Sequence, residues 1–239
     1  MVVASGRLLQ AISQPGSMVA VMASEAEVQA ALTPYQTQVA IAALNGPKHV
    51  VLSGATADIQ SLVADFEARR IKTRLLNVSH ALHSPLLDPL LAEFRRVMGS
   101  IVLRDPQMAI VSTLTGQLVT FEMTSPAYWV QQMRKTVRFA DGVATLHAQK
   151  VEIFLEIGPH PTLISLAQSA ESKSVAYLPS LQQGQPDWQQ LLESLGELYV
   201  RGLAIDWVGF DRAYNRQRVA LPIYPFQRKR YWVDQLLTN

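Results

Sequence analysis

The sequence predicts an α/β fold, and two patterns carry that prediction. Short apolar strands alternate with amphipathic helices along most of its 239 residues. Between residues 16 and 79 the elements follow the order βαββαβ, which is the split-βαβ or ferredoxin-like arrangement. Because 49% of the residues are hydrophobic and none is cysteine, we expect a large core that needs no disulfide bonds.

Local signals define the elements of the first part. Ser24 and Glu27 form a capping-box pattern at the start of a helix, and Asn45-Gly46-Pro47 is a turn between two strands. Thr56 is predicted to cap the next helix. The predicted elements are a helix over 2–13, strands over 18–23, 39–43, 50–52 and 73–78, and helices over 24–32 and 56–66.

The second part alternates helices with strands, which favours part of a mainly parallel sheet. A tail from residue 204 is rich in proline and aromatic residues and is predicted to be extended. The predicted helices cover 85–99, 126–134, 138–149 and 187–202, the strands cover 109–113, 151–157 and 175–178, and a short helix follows the turn 158–161. We divide the chain into a helix of the α/β core (1–15), the ferredoxin-like subdomain (16–79), the α/β core (80–182), and a terminal helix with an extended tail (183–239).

The charge pattern argues against several classes of function. The net charge is +2, and the basic clusters at 69–70 and 228–230 lack the interleaved aromatic residues or glycines of a nucleic-acid module. No run of about 18 apolar residues predicts a membrane span. Five scattered histidines without acidic partners do not predict a metal site. The absence of cysteine fits a cytoplasmic protein, and the first residues lack a signal-peptide layout.

The most informative segment holds two histidines, His80 and His83, where a predicted strand ends and a helix begins. Ser84 suits the N-cap and Pro85 the first helical position. His83 therefore lies just before a helix N-terminus, whose partial positive charge disfavours the imidazolium form. A neutral histidine can accept a proton. A histidine that only satisfies a βα turn explains these residues equally well.

The segment also resembles the HAFHS-type segment of the acyltransferase domains of modular type I polyketide synthases. Four further matches follow the family's order along the chain. They are residues 41–54 with the family's central hairpin, 128–142 with YWV…R..VRF.G, 154–159 with FLEIGP, and 221–232 with the LPTYPFQRxRYW linker that follows the domain. Five collinear matches over nearly the whole chain make the resemblance specific.

The resemblance implies a function. The family carries an α/β-hydrolase-like parallel sheet beside the ferredoxin-like subdomain, and moves an acyl group from coenzyme A to the phosphopantetheine thiol of an acyl carrier protein. It implies no metal or cofactor. By resemblance His83 is the general base, while His80, Leu82 and Ser84 contribute to the acyl pocket. Asn45 is expected to face the cleft, although turn chemistry accounts for it as well.

One part of the catalytic machinery is missing from the sequence. The family's nucleophile is the serine of a GHSxG elbow, and no serine here has glycines at both −2 and +2. The resemblance places that elbow before Met1, so we expect the C-terminal two-thirds of the domain plus its linker. The partner would be the missing N-terminal acyltransferase and ketosynthase portion, and the chain alone should be inactive. The alternative is a non-catalytic interaction or scaffolding remnant.

The acyl group stays open at this point. Ser5 stands where the family has the arginine of an RGRLMQ segment, whose guanidinium binds the malonyl carboxylate. Arg7 would point about 200° away on a helix. Ser5 therefore favours an uncharged acyl group or a decayed site. The segment 80–84 instead resembles the form associated with malonyl units, with Leu82 in place of phenylalanine.

Overall fold

The computed structural model describes residues 2–168, 175–217 and 219–229. The chain divides into two compact units, residues 1–194 and 195–239. Among the described residues, no helix combines the length and the apolar character needed to cross a bilayer. The helices of the first unit are α1 (Val2–Gln10), α2 (Glu25–Leu32), α3 (Thr56–Ala68), α4 (Leu91–Gly99), α5 (Pro126–Arg134), α6 (Phe139–Ala148) and α7 (Thr162–Ala167).

The ferredoxin-like βαββαβ arrangement is confirmed by a four-stranded antiparallel sheet. Its strands are β1 (Gly16–Val21), β2 (Val39–Gly46), β3 (His49–Ala55) and β4 (Thr73–Leu75), in the order β2-β3-β1-β4. Val19 and Leu52 from the sheet join Ile59 and Phe66 from α3 in one fully buried cluster. Because α2 and α3 cover that face, the opposite face is available to pack on other parts of the chain.

Of three local predictions in this part of the chain, one is confirmed, one is wrong and one holds over a shorter range. The capping box is confirmed, since the Glu27 N–H donates to Ser24 Oγ and the Ser24 N–H donates to Glu27 Oε2 at 2.9 Å. The prediction that Thr56 caps α3 is wrong. Ala55 occupies the N-cap, and the Thr56 hydroxyl instead shares a 2.9 Å hydrogen bond with Ser17. The predicted strand over 73–78 ends early, at Leu75.

Among the residues that the structure describes, the parallel sheet consists of two strands. β5 (Ile153–Glu156) pairs in parallel with β6 (Ala176–Pro179), starting from Ile153 opposite Ala176. The helix predicted over 85–99 begins instead as a 3₁₀ helix, Pro85–Leu90, before α4. Pro89 lies inside that first segment, and a proline lacks the N–H that an α-helix would use there.

The strand predicted over 109–113 is wrong. Within the described residues this segment makes only an isolated bridge, between Val111 and Leu118. A turn through Gly116, which has a φ of 73°, reverses the chain between them. Since its one β-bridge among the described residues is to its own return, a tight loop forms in place of a sheet strand.

The described residues of the C-terminal part form two helices. α8 (Asp187–Val200) confirms the prediction over 187–202 to within two residues. The prediction of an extended tail from residue 204 is wrong at its start, because Trp207–Asp211 form the helix α9. The Asp206 side chain caps α9 by accepting from the Gly209 N–H at 2.7 Å. Residues 219–229 contain no helix or strand, as expected for an extended tail, and the rest of the linker motif lies outside the described residues.

Candidate active site

The loop between β4 and the 3₁₀ helix presents His83. His83 has a φ of 58°, in the left-handed region that non-glycine residues rarely adopt. Ser84 holds the turn from both sides: its hydroxyl donates to the Ala81 carbonyl at 2.7 Å and accepts from the Leu86 N–H at 3.3 Å. Because Ser84 is fully buried with its hydroxyl on the backbone, it acts here on the loop.

The imidazole of His83 has a defined tautomer. Its Nδ1 lies 3.0 Å from the Lys135 carbonyl oxygen, and a carbonyl can only accept, so the proton resides on Nδ1. Nε2 then carries the lone pair. Burial lowers the pKa of His83, against the opposing effect of the Lys135 and Gln132 backbone carbonyls. The ring is therefore neutral at pH 7, as predicted, although burial is the main cause.

His83 lines a cavity of about 270 Å³. Most residues of its wall are apolar, and the Trp129 indole among them is fixed by a 2.9 Å hydrogen bond from Nε1 to the Met123 carbonyl. None of the described lining residues carries a cation. The lining consists of Ser5, Leu9, Leu82, His83, Phe94, Trp129, Gln132 and Met133.

The predicted site residues fall into two groups. Ser5 and Leu82 line the cavity together with His83. His80, Ser84 and Asn45 are not among its lining residues. His80 is half-buried and its Nδ1 shares a 2.9 Å hydrogen bond with the Ser79 hydroxyl.

Asn45 lies instead at the end of β2, where it lines a different cavity of about 230 Å³. Phe139 and His147 belong to that second cavity. The structure therefore brings Asn45 together with α6. Neither His80 nor His83 lines this second cavity.

Sequence reasoning missed the contribution of α5 to the site. Trp129, Gln132 and Met133 line the cavity, and their i, i+3, i+4 spacing places them on one face of that helix. This periodicity was visible in the sequence, but it indicates a packed face equally well. α5 is also tied to the 3₁₀ helix by the ion pair between Arg134 Nε and Asp88 Oδ1, at 2.5 Å.

These features suit proton transfer. A neutral imidazole anchored at Nδ1 can accept a proton at Nε2 from a group placed in the cavity. The apolar wall lowers the local dielectric and keeps the ring uncharged until that proton arrives. The same wall can hold an aliphatic group.

The chain matches known proteins along nearly its whole length. The family described as "Acyl transferase domain" matches residues 1–205. Polyketide synthase GfsA from Streptomyces halstedii is 39% identical over 239 residues, which is 99% of this chain but 3% of that protein. Phenolphthiocerol synthesis polyketide synthase type I Pks15/1 from Mycobacterium marinum is 40% identical over 235 residues, or 97% of this chain and 11% of that protein.

Solved structures show the same relationship. The acyltransferase domain from the second module of the salinomycin polyketide synthase has a TM-score of 0.84 and 39% identity, covering 92% of this chain and 52% of that one. The acyltransferase domain of SpnD, in complex with 2-(pent-4-yn-1-yl)malonyl, has a TM-score of 0.77 and 31% identity, covering 84% and 49%. The chain therefore belongs to the acyl transferase domain family, in the form that polyketide synthases carry.

Proposed function

We propose that this chain supplies the general base and one wall of the acyl pocket for transfer of an acyl group from coenzyme A to an acyl carrier protein. The observation that carries the proposal is His83, whose Nδ1 is held by the Lys135 carbonyl while the ring lines an apolar cavity. An imidazole in that state can take a proton from a hydroxyl without first losing one.

The proposed reaction has two halves. A serine hydroxyl gives its proton to His83 Nε2 as its oxygen attacks the thioester carbonyl, and collapse of the tetrahedral intermediate releases the coenzyme A thiolate, which takes the proton back. The phosphopantetheine thiol then attacks the acyl serine by the same steps in reverse. Since no serine of the sequence has the GHSxG pattern, we assign the nucleophile to residues outside 1–239, on the same or another polypeptide.

For the acyl group, the cavity supports an uncharged chain over a malonyl-type unit. Ser5 lines the cavity, whereas His80, on which the resemblance to malonyl-type segments depends, does not. A carboxylate in this cavity would meet no cation among the described lining residues, and an unpaired carboxylate in an apolar site is costly to bind.

Reconstitution of the transfer reaction tests both the role of His83 as the base and the preference for an uncharged acyl group. The chain is combined with an upstream segment carrying GHSxG, and transfer of radioactive acetyl, butyryl or malonyl groups from coenzyme A to a carrier protein is measured. We expect butyryl transfer that falls about 10²-fold or more in His83→Gln. Label that stays undiminished in His83→Gln would refute the base assignment. Malonyl transfer without butyryl transfer would refute the acyl class alone, and Ser5→Arg should move the preference toward malonyl.

The C-terminal tail supports a second, non-catalytic role. Leu221, Ile223 and Phe226 are each at least 75% exposed, and such apolar side chains in an extended segment can contact a partner. On this reading the chain docks a carrier protein as a scaffold. Carrier-protein binding, measured by calorimetry, would then be unchanged in His83→Ala, and a large loss of binding in that variant would contradict it.

A further inference from the structure

The tautomer of His83 depends on backbone carbonyls at the end of α5, and the carbonyl of Lys135 is the one within 3.0 Å of Nδ1. Lys135 is the C-cap of α5, with φ −85° and ψ 165°, so the chain turns from helix to extended backbone at this residue. Its carbonyl, which accepts the Nδ1 proton at 3.0 Å, belongs to the same planar peptide unit as the Thr136 N–H. Whatever fixes Thr136 therefore also fixes the orientation of the acceptor.

Thr136 is fixed to the ferredoxin-like subdomain. Its hydroxyl donates to the Ile41 carbonyl of β2 at 2.8 Å, and that bond is partly buried. The next residue continues the attachment: the Val137 N–H donates to the Ala42 carbonyl at 2.8 Å, and the Leu44 N–H donates to the Val137 carbonyl at 2.9 Å. β2 is an edge strand of its sheet, and on its open side Val137 forms an isolated parallel bridge with Ala43.

The hydrogen bond from the Thr136 hydroxyl reaches β2 at an irregularity of the strand, and this distinguishes it from the backbone bonds of Val137. β2 changes register between Ile41 and Ala43, so an extra residue lies at this point of the strand. Such a bulge bends the strand and redirects its carbonyls. The Thr136 hydroxyl bonds the carbonyl of Ile41, the residue just before the irregularity, and Thr136 itself belongs to the peptide that contacts His83.

We propose that Thr136 is a positioning residue for His83. Its hydroxyl ties the Lys135–Thr136 peptide to β2, and the fixed carbonyl keeps the imidazole proton on Nδ1, so that Nε2 stays the basic nitrogen. The ferredoxin-like subdomain thereby sets the tautomer of a residue that lies in the loop beyond it. The value of that tautomer for catalysis rests on the function proposed above, whereas the tautomer itself can be measured without it.

The test uses the 239-residue chain labelled with ¹⁵N. Long-range ¹H–¹⁵N correlation spectra report which ring nitrogen of His83 is protonated, with the signals assigned by their loss in His83→Gln. Thr136→Val removes the hydroxyl and keeps the shape. We expect the Nδ1-H to Nε2-H ratio to fall by about 3- to 10-fold, the effect of losing one neutral hydrogen bond. Thr136→Ser keeps the hydroxyl and should retain the original spectrum.

Thr145 offers a matched control. Its hydroxyl also donates to a backbone carbonyl, that of Gly116, at 2.5 Å, but the bond ties α6 to a turn. Thr145→Val should leave the His83 signals in place. The proposal is overturned if Thr136→Val leaves them unchanged, if Thr145→Val changes them equally, or if Thr136→Ser loses the tautomer as well. Should Thr136→Val not fold, Thr136→Ala removes the hydroxyl without adding a methyl group and is read by the same criteria.

The outcome is separable from that of the proposed function. If the ring signals respond as expected but reconstituted transfer is indifferent to His83→Gln, the positioning role stands and the catalytic role fails. If transfer needs His83 while the signals ignore Thr136, the catalytic role stands and the positioning role fails.

Discussion

Replacing Gly16 with alanine is expected to push the His83 loop away from the sheet. A Cβ at Gly16 would lie 2.5 Å from the Cβ of Ala81 and 3.1 Å from Cδ1 of Leu86. Carbon atoms in contact prefer about 3.5–4.0 Å, so Ala81 or the start of β1 must move by about 1 Å. Gly16 has no positive φ, and the effect is therefore steric.

The size of the effect follows from this displacement. Overpacking a closed site costs about 1–3 kcal/mol of the free energy of unfolding. The lower chain entropy of alanine in the unfolded state offsets about 0.4–1 kcal/mol of that cost. Ala81 is buried and its carbonyl holds the Ser84 hydroxyl, so the shift passes into the turn that carries His83. A misplacement of about 1 Å at a catalytic group can reduce turnover about 10²-fold.

Urea unfolding and the His83 ring spectrum are the measurements. Gly46→Ala is the matched control, because a Cβ there meets only the Cβ of His49, at an ordinary 3.7 Å. We expect Gly16→Ala to lower the free energy of unfolding and to shift the His83 ring signals, and Gly46→Ala to do neither. The reasoning is refuted if the two variants agree within about 0.5 kcal/mol and both leave those signals unmoved.

Three further predictions concern pH, capping and charge. Burial lowers the pKa of His83 below 6.5, so the unfolded chain binds more protons than the folded chain as pH falls through that value. The free energy of unfolding, measured by urea titration at several pH values, should therefore fall with pH. The fall should be smaller in His83→Gln. Ser24→Ala breaks the capping box with Glu27 and should cost about 0.5–2 kcal/mol in the same assay. Asp88→Asn should lower the free energy of unfolding by about 0.2–1 kcal/mol, because it weakens the ion pair with Arg134. High salt should reduce this loss, and an equal loss in high salt would contradict an ionic contribution.

Predictions succeeded where both partners of an interaction were close in sequence. Ser24 and Glu27 are three residues apart, so their capping box forms from local geometry alone. Thr56 shows the limit of that reasoning. It has the residue type of a cap, yet its hydroxyl is taken by Ser17, 39 residues earlier, because β1 and β3 are neighbours in the sheet. A side-chain preference cannot indicate a competitor that only the tertiary fold supplies.

The strand predicted over 109–113 failed for a related reason. Its apolar residues have strand propensity, but that propensity measures how well side chains fit beside a neighbouring strand. Here the β-bridge partner among the described residues is the chain's own return after Gly116, and that bridge, from Val111 to Leu118, is isolated. Ile110 is consequently 38% exposed, where a buried strand of a parallel sheet would have covered it.

The candidate site shows most clearly the difference between what a local sequence signal indicates and what only a tertiary contact determines. His83 was identifiable because an imidazole is a distinctive group at a helix N-terminus. Its acceptor was not, since it is the main-chain carbonyl of residue 135, 52 positions away, and every residue has such a carbonyl. What selects this one is the pairing of residues 136–137 with β2. On the proposal above, the choice of basic nitrogen depends on how residues 136–137 pack on β2. Substitutions in β2 that leave every lining residue intact should therefore still change the tautomer of His83.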